Sequence, residues 1–140
     1  LNVLGDIKLS LDGTACDLAQ TFVYKGTMYS GLPNLANIFG YTNASWTLKA
    51  DLASRYVCRL LNHMDRHGLA VATPISSPGV AATPLLDFTS GYVRRAVELL
   101  PKQGEHKPWR LYQNYVRDLL MLRMGRVDDG VLAFRRADEG

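Results

Sequence analysis

A short run of small polar and aromatic residues has the types and spacing to bind a ligand. The candidate binding residues in it are Gly40, Tyr41, Asn43, Ser45, Trp46 and Thr47. They lead directly into a long helical pattern. The first N–H groups of a helix lack intrahelical partners and carry partial positive charge, so they can stabilise an anion or a polar ring. The alternative is an ordinary strand-to-helix connection that binds nothing, and the residues alone favour a ligand only slightly.

The helix that follows is predicted from apolar residues on one face, namely Leu48, Leu52, Tyr56, Val57, Leu60, Leu61 and Met64. It should begin near Asn43 or Ser45, which are good N-cap residues, and end at Gly68. Residues 35–39 predict a short strand before the loop. The order is therefore strand, polar loop and helix N-terminus.

Residues 24–52 closely resemble the C-terminal third of class B flavoprotein monooxygenases, the FAD- and NADPH-dependent flavin-containing and Baeyer–Villiger monooxygenases. The most similar branch is the bacterial one that includes the ethionamide-activating monooxygenase. A weaker match extends to residues 109–110, 113–115 and 128–130. The resemblance therefore covers most of the chain.

The resemblance implies an α/β fold class: the C-terminal portion of a Rossmann-like FAD-binding domain, followed by a helical segment. As an isolated fragment, this part would be α+β. Residues 1–68 would complete the FAD-binding domain with short strands and the long helix. Residues 69–88 would be a Pro/Ser-rich linker without regular elements, and residues 89–140 the helical C-terminal segment.

The resemblance also implies a parent function. Such enzymes use FAD and NADPH to insert one oxygen atom of O₂ into a ketone, sulfide or amine through a C4a-peroxyflavin. The six loop residues match the family's flavin-facing loop, which places the helix N-terminus against the pyrimidine edge of the flavin. Reduction puts negative charge there, and backbone N–H groups would stabilise it. The resemblance gives this chain no catalytic residue.

Both glycine-rich fingerprints of the family are missing, and neither GxGxxG nor GxxxxGK[ST] occurs. The expected partners are therefore the N-terminal FAD and NADPH domains of the same enzyme and a small-molecule substrate. Alone, the chain should bind FAD weakly or not at all, and its own activity stays open. The alternative function is a non-catalytic helical interaction or oligomerisation module, in which residues 69–140 bind a partner or a second copy.

Composition and residue spacing do not predict a nucleic-acid-binding, metal-binding or membrane-spanning protein. A formal net charge of +3, with dispersed basic residues, does not predict nucleic-acid binding. His63 and His67 have helical metal spacing but no third ligand, so no metal is expected. Cys16 and Cys58 form no CxxC, and Cys58 is expected to be buried in the helix. With no membrane-spanning apolar run, the prediction is a cytoplasmic protein.

Elsewhere, the sequence predicts a strand before the Asp12–Gly13 turn, another over residues 21–25 and a final edge strand near residues 131–134. One further helix is predicted over residues 91–100, and another from Pro108 to Gly125. The core-facing residues of the last helix are predicted to be Trp109, Tyr112, Val116, Leu119, Leu120 and Met124, with Tyr115 and Leu122 widening the stripe.

Overall fold

A computed structural model describes residues 4–38, 45–77, 83–84, 100–110 and 114–138. The N-terminal part is built from two small hairpins. In the first, β1 (Leu9–Leu11) pairs antiparallel with β2 (Thr14–Cys16) around the predicted Asp12–Gly13 turn. In the second, β3 (Val23–Tyr24) pairs with β4 (Met28–Tyr29), and all four residues are buried. The strands predicted before residue 12 and over residues 21–25 are therefore confirmed, although both are shorter.

The long helix is confirmed as α1 (Trp46–His67), with Ser45 as its N-cap residue. Its buried residues are Lys49, Leu52, Ala53, Tyr56, Leu60 and Met64. Leu48 and Leu61 were predicted on this face but are 45% and 58% exposed. Cys58 is also exposed, which corrects the expectation of a buried thiol. The buried face therefore includes Lys49 and Ala53 and leaves out Leu48 and Leu61, so it is rotated around the helix relative to the predicted face.

Gly68 ends α1 in the left-handed conformation at φ 65°, where its N–H donates to the Asp65 and Met64 carbonyls. A side chain strains this backbone even though the atom nearest to an added Cβ would be 3.9 Å away. We expect Gly68→Ala to lower the free energy of unfolding by about 1 kcal/mol, measured by urea denaturation. Gly68→Asn should lose less, because asparagine tolerates this conformation better. Equal losses in the two variants would contradict this explanation.

No strand forms over residues 35–38, so that prediction is wrong for the described part, while Phe39 lies outside the described residues. Asn34 explains the difference. Its side chain donates to the Ala70 carbonyl and accepts from the Ala72 N–H, both at 2.9 Å, and its own N–H donates to the Ala72 carbonyl. One residue thus occupies the hydrogen-bonding edge that an added strand would have used.

Part of the predicted linker is regular structure. β5 (Leu69–Pro74) pairs antiparallel with β8 (Leu132–Arg136), which confirms the predicted final strand and extends it into the polar tail. Composition missed β5 because Pro74 is a strand breaker, yet it stands at the strand's last position, where a missing N–H costs little. β6 (Thr83–Pro84) pairs with β7 (Lys102–Gln103). The predicted helix over residues 91–100 lies outside the described residues except for Leu100.

The last predicted helix begins later than expected. α2 (Tyr115–Asp118) follows Asn114, whose side chain caps it by accepting from the Arg117 N–H. A π-helix (Leu119–Met124) continues it. The predicted core face is wrong at four positions: Tyr115, Val116, Leu120 and Met124 are 41%, 62%, 54% and 72% exposed. Tyr112 lies outside the described residues.

The buried residues of this segment are Asp118 and Met121, which were not predicted to face the core, and Leu122, which was. The wider turn of a π-helix rotates later side chains away from the face that a regular α-helix would present. Gly125 ends the segment, where a Cβ would lie 2.4 Å from the Met121 carbonyl oxygen. Arg59 of α1 donates to the Leu122 and Gly125 carbonyls, which fixes this end against α1.

The main core lies where α1 meets the second hairpin, β5, β8 and the π-helix. It contains Tyr24, Met28, Leu52, Tyr56, Leu60, Met64, Ala72, Trp109, Met121, Leu122, Val127 and Leu132. Helices combined with small antiparallel sheets are an α+β arrangement, which agrees with the prediction for the isolated chain. Within the described ranges, no helix has both the length and the apolar character needed to cross a membrane.

Candidate functional site

Three of the six predicted ligand-binding residues lie together at the start of α1. Ser45, Trp46 and Thr47 are all exposed, and Trp46 is 54% exposed. The other three, Gly40, Tyr41 and Asn43, lie outside the described residues, so their placement stays a prediction. The described half of the site is therefore open to a ligand.

The partial positive charge at the start of α1 is not offset by the side chains of residues 45–49. The Ser45 side chain makes no capping hydrogen bond, and its Oγ lies 2.9 Å from Thr47 Oγ1 instead. The first turn contains no acidic residue. Because a capping oxygen or a carboxylate would consume N–H groups or offset the helix dipole, their absence from residues 45–49 leaves this turn suited to an anionic or electron-rich group. The exposed Trp46 indole adds an aromatic surface.

A buried ion pair lies beneath this turn. Lys49 Nζ is 3.1 Å from Asp118 Oδ2, and the two side chains are 2% and 0% exposed. Burial lowers the pKa of Lys49, and the Asp118 carboxylate opposes that shift. The pair joins the first turns of α1 and α2.

A second buried network surrounds Lys25. Lys25 Nζ lies 3.5 Å from Asp129 Oδ2 and donates to the Arg126 carbonyl at 3.2 Å. It also lies 4.9 Å from the ring centroid of Tyr56 and 5.4 Å from that of Tyr24. The Tyr24 hydroxyl donates to Asp129 Oδ2 in a short hydrogen bond. The network joins the β3–β4 hairpin to α1 and to the turn before β8.

The same contacts set the pKa values of the network. Burial lowers the pKa of Lys25, although the charge of Asp129 opposes it. Burial alone would raise the pKa of Asp129, but donation from Tyr24, the Leu132 and Val131 amides and the charge of Lys25 hold it below its ordinary value. Burial raises the pKa of Tyr56 to about 12 and also raises that of Tyr24. Both tyrosines are therefore neutral near pH 7, and the Tyr24 hydroxyl donates to Asp129.

The sequence analysis did not select Lys49, Asp118, Lys25 or Asp129 for any role. A usable signal existed for Lys49, since it stands three and seven residues before Leu52 and Tyr56 and so falls on the apolar stripe. A charged residue on such a stripe indicates a buried partner. The partner itself is 69 positions away and could not be named from spacing.

The side chains of His63 and His67 lie side by side near the end of α1. The rings of His63 and His67 lie 4.4 Å apart, and His67 Nδ1 is 2.8 Å from the His63 carbonyl oxygen. His63 also packs near Phe134. Among the described residues, no three His, Cys, Asp or Glu side chains are grouped as metal ligands would be.

Comparison with known proteins finds relatives that are named FAD-containing or FAD-binding monooxygenases. The chain is 49% identical over 138 residues to the FAD-containing monooxygenase EthA of Mycobacterium tuberculosis and 50% identical over 138 residues to EthA of Mycolicibacterium smegmatis. It is 45% identical over 136 residues to "Probable FAD-binding monooxygenase AlmA" of Acinetobacter baylyi. These matches cover 96–97% of this chain. No protein-family model and no solved structure matches it.

The chain spans only 27–28% of the length of these curated relatives. The resemblance of residues 24–52 to flavoprotein monooxygenases is confirmed, since these relatives are named FAD-containing or FAD-binding monooxygenases. They do not favour the alternative of a non-catalytic interaction module.

Proposed function

Since this chain is homologous to a segment of the FAD-containing monooxygenases, we propose that it forms the C-terminal part of an FAD- and NADPH-dependent monooxygenase. The observation that carries the proposal is the identity of 49% over 97% of the chain to a relative named for FAD. Ketones, sulfides or amines are the proposed substrate classes, with one oxygen atom of O₂ inserted. The enzyme would act in the cytoplasm.

The described residues fit a flavin at the start of α1. Ser45 leaves the first turn without a side-chain cap, and no acidic residue in that turn repels negative charge. Bound FAD would supply the activation of oxygen. The task of this chain would be electrostatic: the N–H groups around Trp46 and Thr47 would favour the electron-rich pyrimidine edge of the flavin. Gly40, Tyr41 and Asn43 are proposed to complete that edge.

The remaining binding tasks fall to other parts of the enzyme. The sequence has no glycine-rich turn for the FAD pyrophosphate and no dinucleotide fingerprint for NADPH. We propose that domains N-terminal to this segment provide both. Residues 1–68 would then complete the FAD-binding domain in its Rossmann-like fold, residues 69–88 connect it and residues 89–140 cover it.

A chimera tests this assignment. Residues 1–138 replace the matching segment of EthA from M. tuberculosis, and the purified protein is examined for the visible absorption of oxidised flavin and for NADPH oxidation. We expect a folded, yellow chimera that oxidises NADPH. A chimera that folds by circular dichroism but purifies colourless would overturn the proposal. Unchanged EthA prepared in parallel controls for loss of flavin during purification.

Within that chimera, Trp46→Pro isolates the backbone contribution. Ser45 has φ −59° and ψ 121°, which a residue before proline adopts readily, and proline suits the first position of a helix. The variant should therefore keep α1 but lose one N–H. We expect its flavin affinity to be about tenfold lower than that of Trp46→Ala, which removes the same indole and keeps the N–H. Equal affinities would mean that this N–H does not face the flavin.

A further inference from the structure

A cavity of about 630 Å³ lies beside the Lys25–Asp129 pair, and the flavin proposal makes no use of it. Its size is typical of cavities that hold small molecules. The walls come from stretches far apart in sequence: Lys25 after β3, the loop around Pro108, α2 with the π-helix, and residues 125–131. A concave surface built from four stretches is held in place by the fold.

The inner wall of the cavity is largely apolar. Pro108, Met121 and Val131 line it, and each of them is buried or half-buried. Met121 is 9% exposed and belongs to the main core. An apolar ligand body would remove further hydrocarbon surface from water against these side chains, which is favourable.

The rim of the cavity is cationic. Lys107, Arg117 and Arg126 line it, and all three are exposed. Deeper in the wall, the charges of Lys25 and Asp129 offset each other as an ion pair. Asp129 is the one carboxylate in the lining among the described residues. The exposed side chains at the rim are therefore cationic, and arginine is well suited to bidentate contacts with carboxylate or phosphate groups.

We propose that this cavity binds an amphipathic organic anion, with an apolar body against Pro108, Met121 and Val131 and a carboxylate or phosphate head toward Arg117 and Arg126. A purely apolar ligand would gain nothing from the cationic side chains at the rim. A small inorganic anion would leave the apolar wall unused. The combination of wall and rim selects a ligand with both properties, and it does so whether or not the flavin proposal holds.

The test uses three rigid probes that share a naphthalene body, titrated into the 140-residue chain by isothermal calorimetry. 2-Naphthoate carries a carboxylate, 1-naphthyl phosphate carries a phosphate, and 2-naphthalenemethanol is neutral. We expect at least one anion to bind about tenfold or more tightly than the alcohol. The tighter of the two anions identifies the head group that the site prefers.

Charge-matched variants separate a site from general attraction to a basic protein. Arg117→Gln and Arg126→Gln should each weaken anion binding about threefold to tenfold. The Arg126 carbonyl that accepts from Lys25 is retained in its variant. Arg123→Gln removes the same charge from an exposed π-helix residue that does not line the cavity, and it should bind like the unchanged chain.

Three results would overturn the proposal. These are no binding of either anion, equal binding of the neutral alcohol, and a loss in Arg123→Gln as large as those in Arg117→Gln and Arg126→Gln. Circular dichroism of each variant confirms that the fold is retained. The flavin content of the chimera described above is an independent readout, so failure of one proposal does not imply failure of the other.

Discussion

Replacing Lys49 with methionine is expected to destabilise the chain by about 3–5 kcal/mol. The Asp118 side chain is completely buried and lies 3.1 Å from Lys49 Nζ, so the substitution removes the ammonium group beside a buried carboxylate. The Coulomb attraction of a buried pair is partly cancelled by the cost of removing both charges from water. Removing one partner retains that cost for the other, which makes the single substitution far worse than its volume change suggests.

Urea denaturation at neutral pH, followed by circular dichroism, measures the effect. A matched control is Arg55→Met, which breaks the 2.9 Å pair with Asp51, a pair whose side chains are 63% and 60% exposed. Exposed pairs of this kind contribute at most about 1 kcal/mol. If Lys49→Met costs no more than Arg55→Met, the buried pair is not a structural requirement.

The double variant Lys49→Met with Asp118→Leu distinguishes two roles for the pair. Replacing both charges with apolar side chains of similar size is often neutral or stabilising, so most of the lost stability should return. If stability returns in the chimera but flavin affinity does not, the pair directs the start of α1. If both stability and flavin affinity return, apolar packing at these two positions is enough to place the start of α1. The coupling energy from the complete double-mutant cycle gives the strength of the pair.

The sequence predicted those elements whose local pattern is strong. α1 was predicted because Ser45, one of two candidate N-caps, and Gly68 mark its ends and a four-residue apolar repeat runs between them. The Asp12–Gly13 turn and the final strand near Leu132 were also predicted from local residues. In each case, the interactions that specify the element lie within a few residues of it.

Elements that depend on distant partners were missed. β5 forms because β8, about sixty residues later, supplies its hydrogen bonds, and composition alone indicated a linker. The strand over residues 35–38 fails because Asn34 occupies the edge of β5. The exposure of Leu120 and Met124 accompanies the π-helical turn, which an apolar repeat of the α-helical period does not encode.

The candidate site also contains residues that a local pattern could predict and residues that depend on distant contacts. Ser45, Trp46 and Thr47 were selected as a local motif, and they lie at a helix terminus that the Ser45 side chain does not cap. The residues that support that terminus, Lys49 and Asp118, are distant in sequence. The ligand-facing residues were accessible to sequence reasoning because they are contiguous, whereas their supports required a tertiary contact.

Asp129→Ala is the second substitution expected to have a large effect, a loss of about 2–4 kcal/mol in the free energy of unfolding. The carboxylate accepts from the Tyr24 hydroxyl and from the Val131 and Leu132 amides, and it pairs with buried Lys25. Alanine removes all of these contacts and leaves the Lys25 ammonium buried. Asp128→Ala changes an exposed neighbour and should cost less than about 0.5 kcal/mol, measured in the same urea series.

The pH dependence of stability tests whether charge or hydrogen bonding carries that effect. The folded pKa of Asp129 lies below its ordinary value of 3.8, so the carboxylate stabilises the fold fully above that value and loses this effect as pH falls through the folded pKa. Asp129→Asn keeps an acceptor for the two amides but cannot titrate. Its stability should therefore fall less steeply below about pH 4 than that of the unchanged chain. Asp128→Asn, which removes an exposed carboxylate beside it, is the control for the change in net charge. A parallel fall in Asp129→Asn and the unchanged chain would show that other carboxylates govern acid unfolding and that the Asp129 charge contributes little to the Tyr24–Lys25 network.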